Sequence, residues 1–194
     1  VGAHRDGTRL PTLSRHDGVP HGGFYTTDQL RALVEYAAQR GITIVPEVDV
    51  PGHVRALLAA YPEYGWGERL GVSTEMGVHT EVLWPTEKAV AMVEDVFAAL
   101  LDIFDSPVIH IGGDECPTDQ WQDNPDADAL VAQSGLDGVH QLQRWFTLQL
   151  ADWLGRRGRR VIGWNEMLNG GDVPGAIVMS WEGTGPGVAA LAKG

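Results

Sequence analysis

Hydrophobic and polar positions along the chain predict short strands that alternate with helices. In the longer segments, apolar residues recur at helical spacing and leave a polar face. The shorter runs are rich in Val and Ile, carry no polar face, and are typical of strands buried in a parallel sheet. The predicted helices span 27–40, about 54–60, 87–104 and 139–157, and the predicted strands span 42–49, 107–112, 161–164 and 176–181. This order indicates an α/β fold with a parallel sheet.

Capping residues support these helix boundaries. Thr26 and Gln29 have the spacing of a capping box, and Gly41 supplies a stop. Thr86 caps the long helix that follows. Residues 1–24 are rich in Gly, Pro, His and Asp without periodicity, so a loop is predicted there. With 194 residues the chain is long enough for one domain with a substantial core.

Charge and hydropathy exclude two classes of partner. The formal net charge is -12, and basic residues number only 14, whereas nucleic-acid binding relies on clustered Lys and Arg. The basic run 156–160 lies at a predicted helix end, where cations complement the helix dipole. No apolar run approaches the length of about 20 residues that spans a bilayer. We therefore expect neither a nucleic-acid nor a membrane partner.

The predicted strands share a polar or aromatic C-terminal end. These ends carry Glu47, Asp49 and His53, then Asp114 and Glu115, then Trp164, Asn165 and Glu166, and finally Trp181 and Glu182. Right-handed crossovers leave a doubly wound sheet or a barrel as candidates. The pair Gly112-Gly113 lacks the spacing of a phosphate-binding loop, which disfavours a nucleotide-binding sheet. Polar residues at the carboxyl ends of strands are the active-face pattern of a (β/α)8 TIM barrel.

Carboxylates beside tryptophans indicate a sugar site, because an indole stacks on a pyranose while a carboxylate performs acid-base work. Most glycosidases place two carboxylates on opposite sides of the scissile bond. Asp114 and Glu115 are adjacent and reach the substrate from one side. One of them can act as the general acid, and the other is better suited to hold a group beside the reacting carbon.

Two other functions stay open on the residues alone. A metal-dependent hydrolase could use Asp49, His53, His110 and Asp114 as ligands, although no His-Glu-x-x-His motif is present. A noncatalytic sugar-binding protein would need only the tryptophans. An Asp-Glu pair at a strand end is also commonly a solvated turn, and tryptophans in strands are commonly core residues.

Four segments in order resemble the family 20 glycoside hydrolases, the β-N-acetylhexosaminidases. Residues 110–115, His-Ile-Gly-Gly-Asp-Glu, match the family signature His-x-Gly-Gly-Asp-Glu. Residues 45–53 resemble the preceding barrel strand of the family, 162–166 the following one and 179–181 the one after. The resemblance covers roughly residues 24–185.

The resemblance implies hydrolysis of terminal non-reducing β-linked GlcNAc or GalNAc, with retention and without a cofactor or metal. The substrate's own 2-acetamido oxygen would attack the anomeric carbon and form an oxazolinium ion, a substrate-assisted exception to the two-carboxylate scheme. Glu115 would be the general acid and base, and Asp114 would orient the acetamido group. His53 would support the acid, and Trp164 and Trp181 would enclose the acetamido methyl.

The resemblance also implies that the chain is incomplete. A full barrel has eight strands in about 250 residues, whereas four are predicted here, which resemble strands three to six. The family's substrate-clamping arginine, its Tyr and acidic pair and a third pocket Trp belong to other strands. We therefore expect residues 1–194 to form one incomplete catalytic domain that is inactive when isolated. A secreted or periplasmic location and a role in chitin or glycan degradation follow from the resemblance alone.

Overall fold

The computed structural model of the protein describes residues 12–13, 20–21, 24–66, 70–73 and 77–192. The strands are β1 (Thr12–Leu13), β2 (Pro20–His21), β3 (Val108–His110), β4 (Arg160–Trp164) and β5 (Ile177–Met179). The α-helices are α1 (Thr27–Ala38), α2 (Arg55–Ala60), α3 (Glu87–Leu101), α4 (Pro125–Ser134), α5 (Leu142–Gly155) and α6 (Thr184–Leu191). Short 3-10 turns lie at Pro62–Tyr64, Asp119–Trp121, Val139–Gln141 and Asn165–Leu168. None of the helices in the described ranges is long and apolar enough to cross a membrane.

Strands β3, β4 and β5 form a parallel sheet in that order, which confirms the predicted α/β class. Ile109 of β3 pairs with Val161 of β4, and Ile162 of β4 pairs with Ile177 of β5. Helix α5 follows β3 and precedes β4 in the chain, and it packs on both β4 and α3. Because the strands are parallel, the residues that follow each one emerge at the same edge.

The run 42–49 is not a regular strand, so that part of the prediction is wrong. Its ladder contact with β3 is a parallel bridge between Glu47 and His110. His110 N donates to Pro46 O, and Val48 N donates to His110 O. Both hydrogen bonds are 3.0 Å long. Pro46 has no N–H to donate, which limits further pairing. The segment nevertheless lies along β3 and brings its polar end to the same edge.

Helix α4 lies in a stretch for which neither a helix nor a strand was predicted. The Asn124 side chain accepts a hydrogen bond from Asp126 N (2.9 Å), Pro125 is in the first turn, and Gly135 has φ 64° at the C-cap. Asn-Pro before a helix and Gly after it are standard boundary signals, so the sequence contained the information. The weak amphipathic pattern of the ten residues between them concealed it.

The predicted loop 1–24 needs one correction. Thr12 pairs with His21 and Leu13 with Pro20, so β1 and β2 form a short antiparallel pair inside it. Apart from these two strands and Phe24, that segment lies outside the described residues.

The core forms where α3 and α5 pack on the sheet. Side chains from α3 (Val93, Phe97), α5 (Phe146, Leu150, Leu154) and the sheet (Ile109, Val161) are almost fully buried there. Both helices begin near their expected positions, and Thr86 caps α3 by accepting from Ala89 N. A second cluster surrounds Trp121, whose Nε1–H donates to Leu83 O (3.2 Å), and anchors the loop after β3. The two clusters thus fix the sheet edge from which the polar residues project.

Candidate active site

Two glycines make the turn at the end of β3. Gly112 has φ 68° and Gly113 φ 95°, a left-handed region that favours glycine. A Cβ at Gly112 would overlap the Asp49 carboxylate and lie 2.6 Å from the Asp49 Cα. Gly113 N instead donates to Asp49 Oδ1 (2.9 Å). The glycines therefore allow the 46–50 segment to approach the turn closely and to fasten it.

The residues predicted as catalytic lie close together beside this turn. His53 Nε2 is 3.5 Å from Asp114 Oδ2 and 3.3 Å from Glu115 Oε2. The Asp114 side chain is 17% exposed and the Glu115 side chain is 37% exposed, so Glu115 is the more accessible of the two carboxylates. His53 (φ 53°) and Glu115 (φ 45°) both have left-handed backbones, which cost a non-glycine residue roughly 1–2 kcal/mol. Such local strain is commonly found at functional sites.

Asp49 lies against Asp114 and binds a proton unusually tightly. Burial, and then the charge of Asp114 and a hydrogen bond with it, raise the pKa of Asp49 to about 8, although the Gly113 N–H opposes the shift. The raised pKa favours a neutral Asp49 carboxyl beside Asp114 near neutral pH.

The proposed metal ligands are only partly brought together. Ligand atoms of Asp49, His53 and Asp114 lie within 4.8 Å of one another. His110 is directed elsewhere, with Nδ1 3.0 Å from Glu47 Oε1, so the four-residue ligand set is not assembled. Metal ligands must be deprotonated, and the raised pKa of Asp49 therefore opposes metal binding near neutral pH.

His110 is a packed residue, as its mid-strand position indicates. It is 4% exposed, and burial lowers its pKa. Its Nδ1 also lies 3.1 Å from Gly112 N. Only one of its two Nδ1 contacts is a hydrogen bond at a time, because Nδ1 either accepts from this amide or donates to the Glu47 carboxylate.

Both predicted tryptophans are at the sheet edge, each held by a carboxylate. Trp164 Nε1 donates to Glu47 Oε1 (3.1 Å), and its ring meets the His110 ring edge-on at 5.0 Å between centroids. Trp181 Nε1 donates to Glu166 Oε2 (3.0 Å), while its ring is 49% exposed. These indoles are therefore oriented rather than simply buried in a core.

Polar side chains also join the loops after β3, β4 and β5. Trp181 N donates to Asn165 Oδ1 (3.1 Å), and Asn165 Nδ2 donates to Glu182 Oε2 (2.6 Å). Glu115 N donates to Glu166 Oε1 (3.2 Å). The carboxylate of Glu166 thus contacts both the backbone of Glu115 and the indole of Trp181.

Sequence reasoning placed Glu47 and Glu166 at strand ends but gave neither a role. Their position was the only signal, because nothing in the sequence specifies which indole each carboxylate meets. Gln143 was missed entirely: its buried Nε2 donates to Gly113 O (2.7 Å) from the inner face of α5. A polar residue within an apolar helix face gives a weak signal of this kind.

Known proteins resemble this chain in both sequence and fold. Residues 3–194 match the catalytic domain of glycosyl hydrolase family 20. Beta-hexosaminidase from Porphyromonas gingivalis is 39% identical over 181 residues, which is 92% of this chain and 23% of that protein.

Two solved structures illustrate the likeness in fold. Flavobacterium johnsoniae chitobiase is 36% identical with a TM-score of 0.80, over 92% of this chain and 28% of its own. The Vibrio harveyi exo-β-N-acetylglucosaminidase, solved with N-acetylglucosamine, is 29% identical with a TM-score of 0.81, over 99% of this chain and 30% of its own. This chain spans less than a third of the length of each of these relatives. Because the family match extends over almost all of its residues, the chain belongs to glycosyl hydrolase family 20.

Proposed function

We propose that the protein containing this chain is a retaining β-N-acetylhexosaminidase that releases terminal non-reducing β-linked N-acetylhexosamine. The observation that carries the proposal is the arrangement after β3, where adjacent Asp114 and Glu115 both lie within 3.5 Å of His53 Nε2. The relatives named beta-hexosaminidase, chitobiase and exo-β-N-acetylglucosaminidase support it.

Adjacency of the two carboxylates suits a nucleophile that the substrate supplies. The 2-acetamido oxygen attacks the anomeric carbon, and the bond to the leaving oxygen breaks as Glu115 protonates it. Asp114 orients the acetamido N–H and stabilises the positive charge that develops in the oxazolinium ion. Glu115 then deprotonates the water that opens this ion, which restores the β-configuration.

The remaining predicted residues have supporting roles in this proposal. His53 lies close enough to both carboxylates to hold Glu115 against Asp114. Trp164 and Trp181 form walls around the acetamido methyl, so they favour N-acetylated sugars over other hexosides. The ring of Trp181 is half exposed, so it is accessible to a bound sugar.

We further propose that residues 1–194 form one incomplete catalytic domain of a (β/α)8 TIM barrel. The segment 46–50 and strands β3, β4 and β5 would correspond to barrel strands three to six. The parallel order of the sheet and the polar residues at one edge support this placement. The substrate-clamping arginine and the other pocket residues of the family would then lie outside this chain.

The proposal is tested by substrate discrimination in the full-length protein. p-Nitrophenyl β-N-acetylglucosaminide should be hydrolysed, and the matched p-nitrophenyl β-glucoside, which lacks the internal nucleophile, should not. Comparable release from both would contradict substrate assistance. Binding of the sugar without turnover would instead identify a noncatalytic protein, and loss of activity with a chelator would favour a metal-dependent hydrolase.

The incomplete-domain proposal needs a separate measurement. The 194-residue chain alone should release no p-nitrophenol from the N-acetylglucosaminide, because it holds the acid and orienting carboxylates without the whole substrate clamp. Robust turnover by the isolated chain would overturn this proposal and leave the assignment of Glu115 intact.

A further inference from the structure

We propose that Glu166 is a positioning residue that fixes the Trp181 wall relative to the acid Glu115. Each of its carboxylate oxygens accepts one hydrogen bond, Oε1 from Glu115 N (3.2 Å) and Oε2 from Trp181 Nε1 (3.0 Å). One side chain thus joins the loops that follow β3 and β5. The inference rests on the proposed function, since it concerns the geometry of that reaction.

Both partners of Glu166 need an external restraint. Glu115 has a left-handed backbone (φ 45°), which is unfavourable for a residue with a Cβ and persists only where neighbouring contacts hold it. Trp181 is 49% exposed, so packing alone does not define the orientation of its ring. A hydrogen bond to each of them supplies the missing restraint.

The support beneath Glu166 is rigid. It lies in the 3-10 turn Asn165–Leu168 directly after β4, and its neighbours Asn165 and Met167 are 8% and 0% exposed. Asn165 Oδ1 also accepts from Trp181 N, which gives the wall a second attachment to the same turn. Substrate-positioning groups are most effective when they project from such fixed elements.

The carboxylate chemistry explains why this position needs Glu rather than Gln. Two N–H donors converge on it, and only a carboxylate offers an acceptor to each. In Glu166→Gln one oxygen is replaced by an NH2 group, which would face an N–H donor. The amide therefore keeps one of the two hydrogen bonds at most.

Leaving-group dependence in the full-length protein tests the inference. Phenyl β-N-acetylglucosaminide needs a proton on its leaving oxygen, whereas the 2,4-dinitrophenyl glycoside departs without one. If Glu166 positions the acid, Glu166→Gln should lower kcat/KM for the phenyl substrate about tenfold more than for the dinitrophenyl substrate. The comparison does not depend on the fraction of folded enzyme, because both substrates meet the same preparation.

A double-mutant cycle tests the connection to the wall. Trp181→Phe removes the indole N–H and keeps an aromatic ring. Glu166→Gln and Trp181→Phe break the same restraint. The double variant should therefore lose about as much activity as the single variant with the larger loss, rather than the product of the two losses. Glu87→Gln, an exposed carboxylate in the first turn of α3, is the matched control and should leave both rates unchanged.

The outcomes separate this inference from the function beneath it. Equal losses for the two substrates, with multiplicative effects in the double variant, would show that Glu166 has only a structural role and would overturn the inference. A wild-type protein that hydrolyses neither glycoside would overturn the proposed function and the inference with it. Unequal losses with a non-multiplicative double variant are the expected result.

Discussion

The acid end and the tryptophan end of the site are built differently. The turn after β3 is buried and tied on several sides, by Asp49, Gln143 and the close packing of Gly112. The residues of β5 are half-buried or exposed, and Trp181 is held at the edge mainly by hydrogen bonds. The acid geometry is therefore inseparable from the fold of this chain, whereas the wall depends on a few polar contacts.

Apolar side chains are exposed on both flanks of the sheet. Ile42 and Val45 are 58% and 40% exposed beside β3, and Met179 and Leu191 are 39% and 83% exposed near β5. Apolar surface on both flanks of the sheet supports the proposal that further strands and helices complete the barrel.

The largest expected effect is on chemistry at the acid end. In the full-length protein, Glu115→Gln should lower kcat by roughly 10²–10⁴-fold, because the amide cannot protonate the leaving oxygen. Sugar binding should survive, since the walls and Asp114 are unchanged. Steady-state rates together with calorimetric binding of N-acetylglucosamine check this, and near-normal turnover would disprove the acid assignment.

Alanine substitutions at Gly112 and Gly158 test how tightly the acid end is packed. Gly112→Ala should cost more than about 4 kcal/mol in the free energy of unfolding, because its Cβ meets the Asp49 backbone as well as its carboxylate. Gly158→Ala is the control, since Gly158 has a similar φ of 72° but nothing within 4 Å of its Cβ position. It should cost only about 1–2 kcal/mol. Denaturant unfolding measures both, and equal costs would contradict the close approach of Asp49.

The two tryptophans sharpen the comparison further. Trp181→Ala should change the free energy of unfolding by only about 0.5 kcal/mol, because the ring is half exposed. Its effect should appear in a raised KM for N-acetylated substrates. Trp164→Ala should cost about 2 kcal/mol or more, since Trp164 is more deeply packed and meets His110 edge-on. Equal destabilisation by the two variants would contradict the looser packing of Trp181.

The sequence predicted what depends on local pattern. Parallel strands, most helix boundaries and the gathering of polar strand ends followed from periodicity and capping, and the structure confirms the α/β class. The approach of His53 to Asp114 and Glu115 followed from the family resemblance. These features survive because each is specified by residues close in sequence or by a recognisable motif.

What the sequence did not predict depends on tertiary context. The 42–49 run has the composition of a strand, but Pro46 and its position at the edge of the sheet left only a bridge to β3. The hydrogen bond between Glu166 and Trp181 and the raised pKa of Asp49 depend on how separate loops approach one another in the fold. Side-chain partners of this kind are not encoded in any periodicity.

Asp49 introduces a pH dependence of stability at the acid end. Its pKa rises from the ordinary value of 3.8 to about 8 in the folded protein, mainly through burial, so the folded state binds a proton that the unfolded state releases. Its contribution to stability is therefore fully present below pH 3.8 and is lost progressively as pH rises through about 8.

Asp49→Asn removes this dependence while preserving the contacts. The amide oxygen still accepts from Gly113 N, and the amide N–H replaces the proton shared with Asp114. The variant should therefore gain stability relative to wild type as pH rises from about 4 towards 8, with no further gain above it. Thermal unfolding of both proteins across this range measures the difference. A difference that is constant with pH would mean that Asp49 is already ionised at neutral pH and that the acid end carries two anions.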